Sequence, residues 1–164
     1  MEGAILTPDI QSSSSNAGKT KILLVEDNKI DARLTRQALQ QIPDWPSIID
    51  VVNDGEEALK FLLREQAYAD ALTPDLVILD LNLPRCDGTQ LLQFIRASQQ
   101  LHNLLVFIFS SSPVDVAEDR MHSAQVKADS YFEKPNQLDK YFSIAAQIKE
   151  TYRRAAGERK AATA

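Results

Sequence analysis

Five short apolar runs recur along the chain, and a segment with helical spacing of apolar residues follows each of them. The runs span residues 21–26, 48–52, 76–79, 104–109 and 128–132. In the run 76–79 the apolar residues are consecutive, which is typical of a strand buried on both faces of a parallel sheet. The strict alternation of strands and helices predicts an α/β fold: a doubly wound, five-stranded parallel sheet with helices on both faces.

Asn and Asp residues stand where three of the helical segments begin. Asn28, Asp54 and Asp87 precede these segments, and such side chains accept hydrogen bonds from the free amides of a first helical turn. Glu57 and Gln90 follow the two aspartates at capping-box spacing. Helical spacing predicts inward-facing residues in the first and last helices: Ile30, Leu34, Ala38, Leu39 and Ile42, and Leu138, Tyr141, Phe142, Ala145, Ile148 and Tyr152. The helix predicted at 113–124 has the weakest pattern, so the conformation of residues 111–127 stays open.

The 164 residues suit one domain with a single core. The Ser-rich segment 1–19 is expected to be a disordered tail, 20–153 the domain, and 154–164 a frayed end with no output domain after it. A net charge of −5 argues against non-specific nucleic-acid binding. Without a visible signal peptide or membrane-spanning stretch, and with Cys86 as the single cysteine, we expect a cytoplasmic protein without a disulfide.

Polar residues stand at the carboxyl ends of four of the predicted strands. Glu26 and Asp27 end the first, Asp80 follows the third, Ser110 follows the fourth, and the fifth leads to Lys134. Ligands of doubly wound sheets bind beyond this edge, so these side chains are expected to form one site. Three carboxylates repel one another, and a hard cation such as Mg²⁺ would relieve that repulsion. A carboxylate beside Mg²⁺ can act as a nucleophile toward a phosphoryl group.

Taken together, the motifs resemble a response-regulator receiver domain over roughly residues 20–150. They are Leu24-Val25-Glu26-Asp27-Asn28, Asp80-Leu81-Asn82-Leu83-Pro84 with Asp87-Gly88, Phe109-Ser110, and Glu133-Lys134-Pro135. The segments 54–59 and 64–74 are similar to those of stand-alone receivers that accompany bacteriophytochrome-type histidine kinases. The resemblance implies a flavodoxin-like sheet in the order 2-1-3-4-5 and a signalling module rather than an enzyme.

For the phosphorylation chemistry, the resemblance implies that Asp80 is the phosphoacceptor of a two-component phosphorelay. Its donor would be a sensor histidine kinase or a phosphotransfer protein. Asp27 would bind Mg²⁺ directly and Glu26 through water, with Asp80 and the backbone carbonyl of Asn82 as further ligands. Lys134 would contact a phosphoryl oxygen.

For the switch, the resemblance implies that Ser110 moves toward the phosphoryl group and that Tyr131 swings inward with it. The Lys134–Pro135 bond would be cis. The signal would be read on the surface of the fourth helix, fifth strand and fifth helix, through which receivers also form homodimers. Neither nucleic acid nor a membrane is an expected partner.

Two other functions are compatible with parts of the sequence. A receiver that binds partners without cycling phosphate is one, although the complete acid set and Lys134 argue against it. A phosphatase with an aspartate nucleophile is the other, but such enzymes usually carry a second Asp two positions later, where this chain has Asn82. Phosphoryl labelling of Asp80 would separate the first from the leading interpretation, and multiple turnover would reveal the second.

Overall fold

The computed structural model describes residues 16–164, and residues 1–15 of the predicted tail lie outside that range. The strands are β1 Thr20–Val25, β2 Ser47–Val52, β3 Leu76–Leu79, β4 Leu105–Ser110 and β5 Ser130–Glu133. The helices are α1 Lys29–Gln40, α2 Gly55–Leu63, α3 Gly88–Ala97, α4 Val114–Ser123 and α5 Lys140–Ala162, with a 3₁₀ turn at Gln66–Tyr68. Each predicted strand and helix is therefore present, with bounds that shift by a few residues.

The five strands form one parallel sheet in the order β2-β1-β3-β4-β5, as predicted. Val25 pairs with Leu79, and Leu79 pairs with Ile108. Because these central strands end at the same level, the residues that follow them emerge at one edge of the sheet. That edge carries the candidate site.

The hydrophobic core lies in two layers, one on each face of the sheet. Alternate residues of β1, β3 and β4 contribute to opposite layers, as the two-residue period of a strand requires. Leu91, Leu92 and Ile95 of α3 close one layer, and residues of α1 and α5 close the other. All four residues of β3 are completely buried, which confirms the prediction of a strand covered on both faces.

The predicted helix caps are formed. Asn28 Oδ1 accepts hydrogen bonds from the amides of Ile30 and Asp31, at 2.9 and 3.1 Å. Asp87 and Gln90 form a reciprocal capping box at the start of α3. At α2 the Asp54 side chain accepts the Glu57 amide at 2.8 Å. The reciprocal half of the predicted capping box does not form there, because the Glu57 carboxylate is bound to Lys60 and Tyr68 instead.

Three residues of the predicted apolar faces prove to be exposed. Ile30 lies two residues before the buried Ala32, about 200° around the helix, so it points away from the sheet and is 69% exposed. In α5, Tyr141, Ala145 and Ile148 are buried, and Phe142 lies about 100° from Tyr141 on the exposed side. Leu138 is exposed because it precedes the first helical residue.

The prediction that the chain frays from residue 154 is wrong in its secondary structure, because α5 continues to Ala162. Ala155 and Ala156 pack against the core layer under α5, and alanine is the strongest helix former. Nη2 of Arg159 lies 2.6 Å from Oδ1 of Asp129, the residue before β5. These contacts hold the last turns in place.

Across residues 16–164, each helix is too short or too polar to span a bilayer.

Candidate functional site

Three carboxylates meet at the carboxyl edge of the sheet. Glu26 and Asp27 directly follow β1, and Asp80 directly follows β3. One oxygen from each lies within 4.8 Å of the others. Glu26 and Asp80 are buried, whereas Asp27 is exposed to solvent. Adjacent strand ends thus bring together residues that lie 54 positions apart in the sequence.

The ammonium group of Lys134 lies among the carboxylates. Its Nζ forms ion pairs with Glu26, with Asp80 Oδ2 at 3.0 Å and with Asp31 Oδ2 at 3.2 Å. The Lys134 side chain is only 7% exposed, so water screens these pairs weakly. Asp31, in the first turn of α1, was not among the predicted site residues. The available signal was its place one turn after Glu26-Asp27, on a helix that begins at the site.

Burial determines the ionisation of this cluster. It raises the pKa of Glu26 to about 7, although Lys134 and the Asn28 amide favour the charged carboxylate. Burial by itself would lower the pKa of Lys134, but its pairs with Glu26 and Asp80 outweigh that effect and raise it. Lys134 is therefore charged at neutral pH, whereas Glu26 titrates near it. The buried carboxylates therefore raise the free energy of the folded chain when they are charged, and an additional positive charge near them would reduce this cost.

Ser110 and Asn82 lie next to the charged cluster. Ser110 is completely buried at the end of β4, and its carbonyl accepts the Lys134 amide at 2.8 Å. The Ser110 hydroxyl oxygen accepts the amide of Ser112 at 3.3 Å. The Asn82 amide donates to Asp80 Oδ1 at 3.2 Å, which fixes the orientation of that carboxylate.

Tyr131 lies in β5 and is half-buried against the core layer on the α3 side of the sheet. Its hydroxyl oxygen accepts the Ala128 amide at 3.4 Å.

The prediction of a cis bond between Lys134 and Pro135 is wrong, because this bond is trans. An X–Pro bond prefers trans by about 0.5–1 kcal/mol unless a contact selects the cis form.

The loop between β3 and α3 packs tightly around Asp80. A Cβ on Gly88 would lie 2.4 Å from the backbone oxygen of Asp80, so a side chain there would displace the loop. Arg85 has a left-handed backbone conformation, with φ at 66°. Its Nη2 lies 2.8 Å from Oδ2 of the buried Asp54. Asp87 caps α3, as its position before a helical segment predicts.

The donor set of this edge fits a hard divalent cation. Glu26, Asp27 and Asp80 offer carboxylate oxygens, which are the ligands that such ions prefer, and their mutual repulsion would fall on binding. The exposed Asp27 leaves the cluster open to solvent. Three of the four residues predicted for a metal, Glu26, Asp27 and Asp80, are thus brought together in a form that could hold one.

Comparison with known proteins agrees with this geometry. The family model of the response regulator receiver domain matches residues 22–146. The chain belongs to this family, whose members interact with histidine kinases or phosphotransfer proteins and bind divalent metal ions. It is therefore a receiver of two-component phosphorelay signalling, as predicted, and nothing favours a receiver that works without phosphorylation.

Within the family the chain is similar to phytochrome response regulators. It is 32% identical to the response regulator Rcp1 of Synechocystis sp., over 84% of this chain and 90% of Rcp1. The solved structure of the phosphorylated cyanobacterial phytochrome response regulator RcpA matches with a TM-score of 0.73 and 36% identity, over 82% of this chain and 94% of RcpA. The Mn²⁺-bound form of Rcp1 matches with a TM-score of 0.69 and 29% identity, over 79% and 91% of the two chains. The predicted resemblance is confirmed.

Proposed function

We propose that Asp80 accepts a phosphoryl group from a histidine kinase or a phosphotransfer protein in a Mg²⁺-dependent reaction. The observation that carries this proposal is the 3.0 Å contact between Lys134 Nζ and Asp80 Oδ2, inside a cluster of three carboxylates. A carboxylate and a phosphoryl group repel each other, so attack is favoured by a fixed orientation and by a neighbouring positive charge that reduces this repulsion. Asp80 has both.

The reaction requires little covalent chemistry from the protein. A carboxylate oxygen of Asp80 attacks phosphorus while the bond from phosphorus to the leaving atom of the donor breaks, and the leaving atom keeps the electron pair. The Asn82 amide at Oδ1 and the Lys134 ammonium at Oδ2 hold the carboxylate before the donor arrives. Positioning and neutralisation of charge are then the main contributions of the chain.

Mg²⁺ is the proposed physiological cation. Asp27 and Asp80 would bind it directly and Glu26 through water, with the backbone carbonyl of Asn82 as a further ligand. Bound Mg²⁺ would compensate the negative charge of the carboxylates and the phosphoryl oxygens. The oxygen-only donor set and the raised pKa of Glu26 support this assignment.

Ser110 and Lys134 are proposed to transmit phosphorylation to the surface of α4, β5 and α5. The new phosphoryl oxygens would accept hydrogen bonds from the Ser110 hydroxyl and from Lys134, and Tyr131 would repack as Ser110 moves. The backbone bond between Ser110 and Lys134 supports coupled movement of the two. In α4 only Ala117 and Met121 of ten residues are buried, so this helix can shift at low energetic cost.

The same surface is the proposed site of homodimer formation. Val116 of α4 is 52% exposed and Phe142 of α5 is 43% exposed, so apolar area is available there.

We further infer that the protein acts in the cytoplasm as a signalling module, without multiple-turnover enzymatic activity and without binding nucleic acid or membranes. The acidic net charge of −5 supports the last point.

Phosphoryl labelling tests the assignment of Asp80. The full chain is incubated with phosphoramidate and Mg²⁺, and the added mass is located by peptide mass spectrometry. We expect labelling of the wild type and of Asp87→Asn, the matched control in the same loop, and no labelling of Asp80→Asn. Labelling of Asp80→Asn to the wild-type extent would refute the proposal. EDTA should abolish labelling, and Mg²⁺ should restore it.

A further inference from the structure

Arg120 joins α4 to the loop that follows Asp80. Its Nη1 donates to Asn82 Oδ1 at 3.3 Å, and its Nη2 lies 3.5 Å from Asp87 Oδ2. Arg120 and Asn82 are 38 residues apart in the sequence. One side chain of α4 therefore contacts the two ends of the β3–α3 loop, residues 80–87.

Two hydrogen bonds in series connect Arg120 with the proposed phosphoacceptor. Arg120 holds the side chain of Asn82, and the backbone amide of Asn82 holds Asp80 Oδ1 at 3.2 Å. On the other side of the loop, Arg85 is tied to the buried Asp54 at the start of α2. The loop is thus fixed between α2 and α4, and its α4 attachment depends on the Arg120 guanidinium.

The attachment to α4 is open to solvent and can adjust. The side chains of Arg120 and Asp87 are 37% and 42% exposed, and ion pairs as open as this one contribute little free energy. Lys134, in contrast, is buried and already pairs with three carboxylates. A phosphoryl group on Asp80 would add negative charge beside Asn82, and Arg120 would be held more firmly in response.

We propose that Arg120 is a positioning residue of the phosphorylation site, which holds Asn82 beside Asp80 and so determines how long the phosphoryl group survives hydrolysis. The proposal rests on the proposed function of Asp80. With Arg120 in place, the Asn82 side chain and the loop restrict the approach of water to the phosphorus atom. Without it the loop loosens, and water reaches the acyl phosphate more often.

The test is the rate at which the phosphorylated full chain loses its label. The wild type and the variants are labelled with phosphoramidate and Mg²⁺, the donor is removed, and the decay is followed by intact mass. We expect Arg120→Ala to hydrolyse about threefold to tenfold faster, the size expected for loss of one partly exposed hydrogen bond to a charged group. The hydrolysis rate of Arg120→Lys should lie between those of the wild type and Arg120→Ala. Lysine keeps the positive charge but lacks the forked guanidinium group of arginine.

Arg154→Ala is the matched control. Arg154 is an exposed arginine on α5 that makes no ion pair within the part of the chain described, residues 16–164. Its decay rate should equal that of the wild type. Should Arg120→Ala fail to fold, Arg120→Gln gives the same comparison with more of the side chain retained.

A double-mutant cycle distinguishes positioning through Asn82 from a general structural effect. Asn82→Ala should itself accelerate decay, and Arg120→Ala should add nothing in that background. Additive effects would overturn the proposed route, and a wild-type decay rate in Arg120→Ala would overturn the inference while Asp80 remains the phosphoacceptor. If the wild type takes up no phosphoryl group, the proposed function fails first and this inference fails with it.

Discussion

Replacement of Glu26 by Gln would measure the electrostatic cost of the cluster directly. The Glu26 side chain is buried, and its pKa rises from 4.5 to about 7 because burial disfavours the charged carboxylate. Gln has the same shape as the protonated acid but cannot ionise. The variant therefore removes the titration of this site while it preserves the packing.

The sign of the effect follows from proton linkage. A carboxyl group with a raised pKa binds its proton more tightly in the folded chain than in the unfolded one, so it stabilises the fold at low pH. That stabilisation is lost as the pH rises from about 4.5 to about 7. At 1.36 kcal/mol for each pH unit, the loss amounts to about 3 kcal/mol in the absence of divalent metal.

Denaturant unfolding in EDTA at pH 4.5 and pH 8 is the assay. We expect Glu26→Gln and the wild type to have similar free energies of unfolding at pH 4.5. At pH 8 the variant should be more stable, by up to about 3 kcal/mol. Glu150→Gln, at an exposed position on α5, is the matched control and should show no such pH-dependent gain. A constant difference between Glu26→Gln and wild type at both pH values would refute the reasoning, and Mg²⁺ at pH 8 should stabilise the wild type more than the variant.

Three further predictions concern the stability of the fold. Gly88→Ala should destabilise the chain by about 1–3 kcal/mol in denaturant unfolding, because its Cβ would lie 2.4 Å from the backbone oxygen of Asp80. Gly157→Ala should instead stabilise it by about 0.5–1 kcal/mol, because Gly157 lies within α5 and a Cβ there would meet open space. A loss of stability in both would contradict the steric argument. Asn28→Ala should cost about 1 kcal/mol by removing the α1 cap, and an unchanged unfolding midpoint would refute that role. Arg159→Ala should increase hydrogen exchange in the last turns of α5, whereas Arg154→Ala should not.

Much of this architecture could be predicted from local patterns. Consecutive apolar residues at 76–79 identified a strand covered on both faces, and Asn28 and Asp87 marked the starts of α1 and α3. The predicted faces failed at Ile30 and Phe142, which have apolar side chains but lie off the buried stripe. Apolar spacing shows that a helix has a buried face, but the rotation of the helix is fixed by what it packs against.

Other features depended on residues that are distant in the sequence. The frayed C-terminus was predicted from local composition, whereas the contact between Arg159 and Asp129 spans 30 residues and exists only after folding. Asp31 was missed as a partner of Lys134 for the same reason, since 103 residues separate them. Neither contact has a local sequence pattern that would identify it.

The sequence by itself determined the alternating α/β order and the polar strand ends, Asp80 among them, because strand periodicity and parallel topology dictate where strand ends meet. The roles of Asp80 and Lys134 were implied by the resemblance to receiver domains. Only the tertiary structure decided how charge is distributed there. It placed Lys134 among three carboxylates, buried Glu26 enough to raise its pKa, and attached the Asp80 loop to α4 through Arg120. The physical reason is that burial and distance set electrostatic energies, and both arise from packing between elements far apart in the chain.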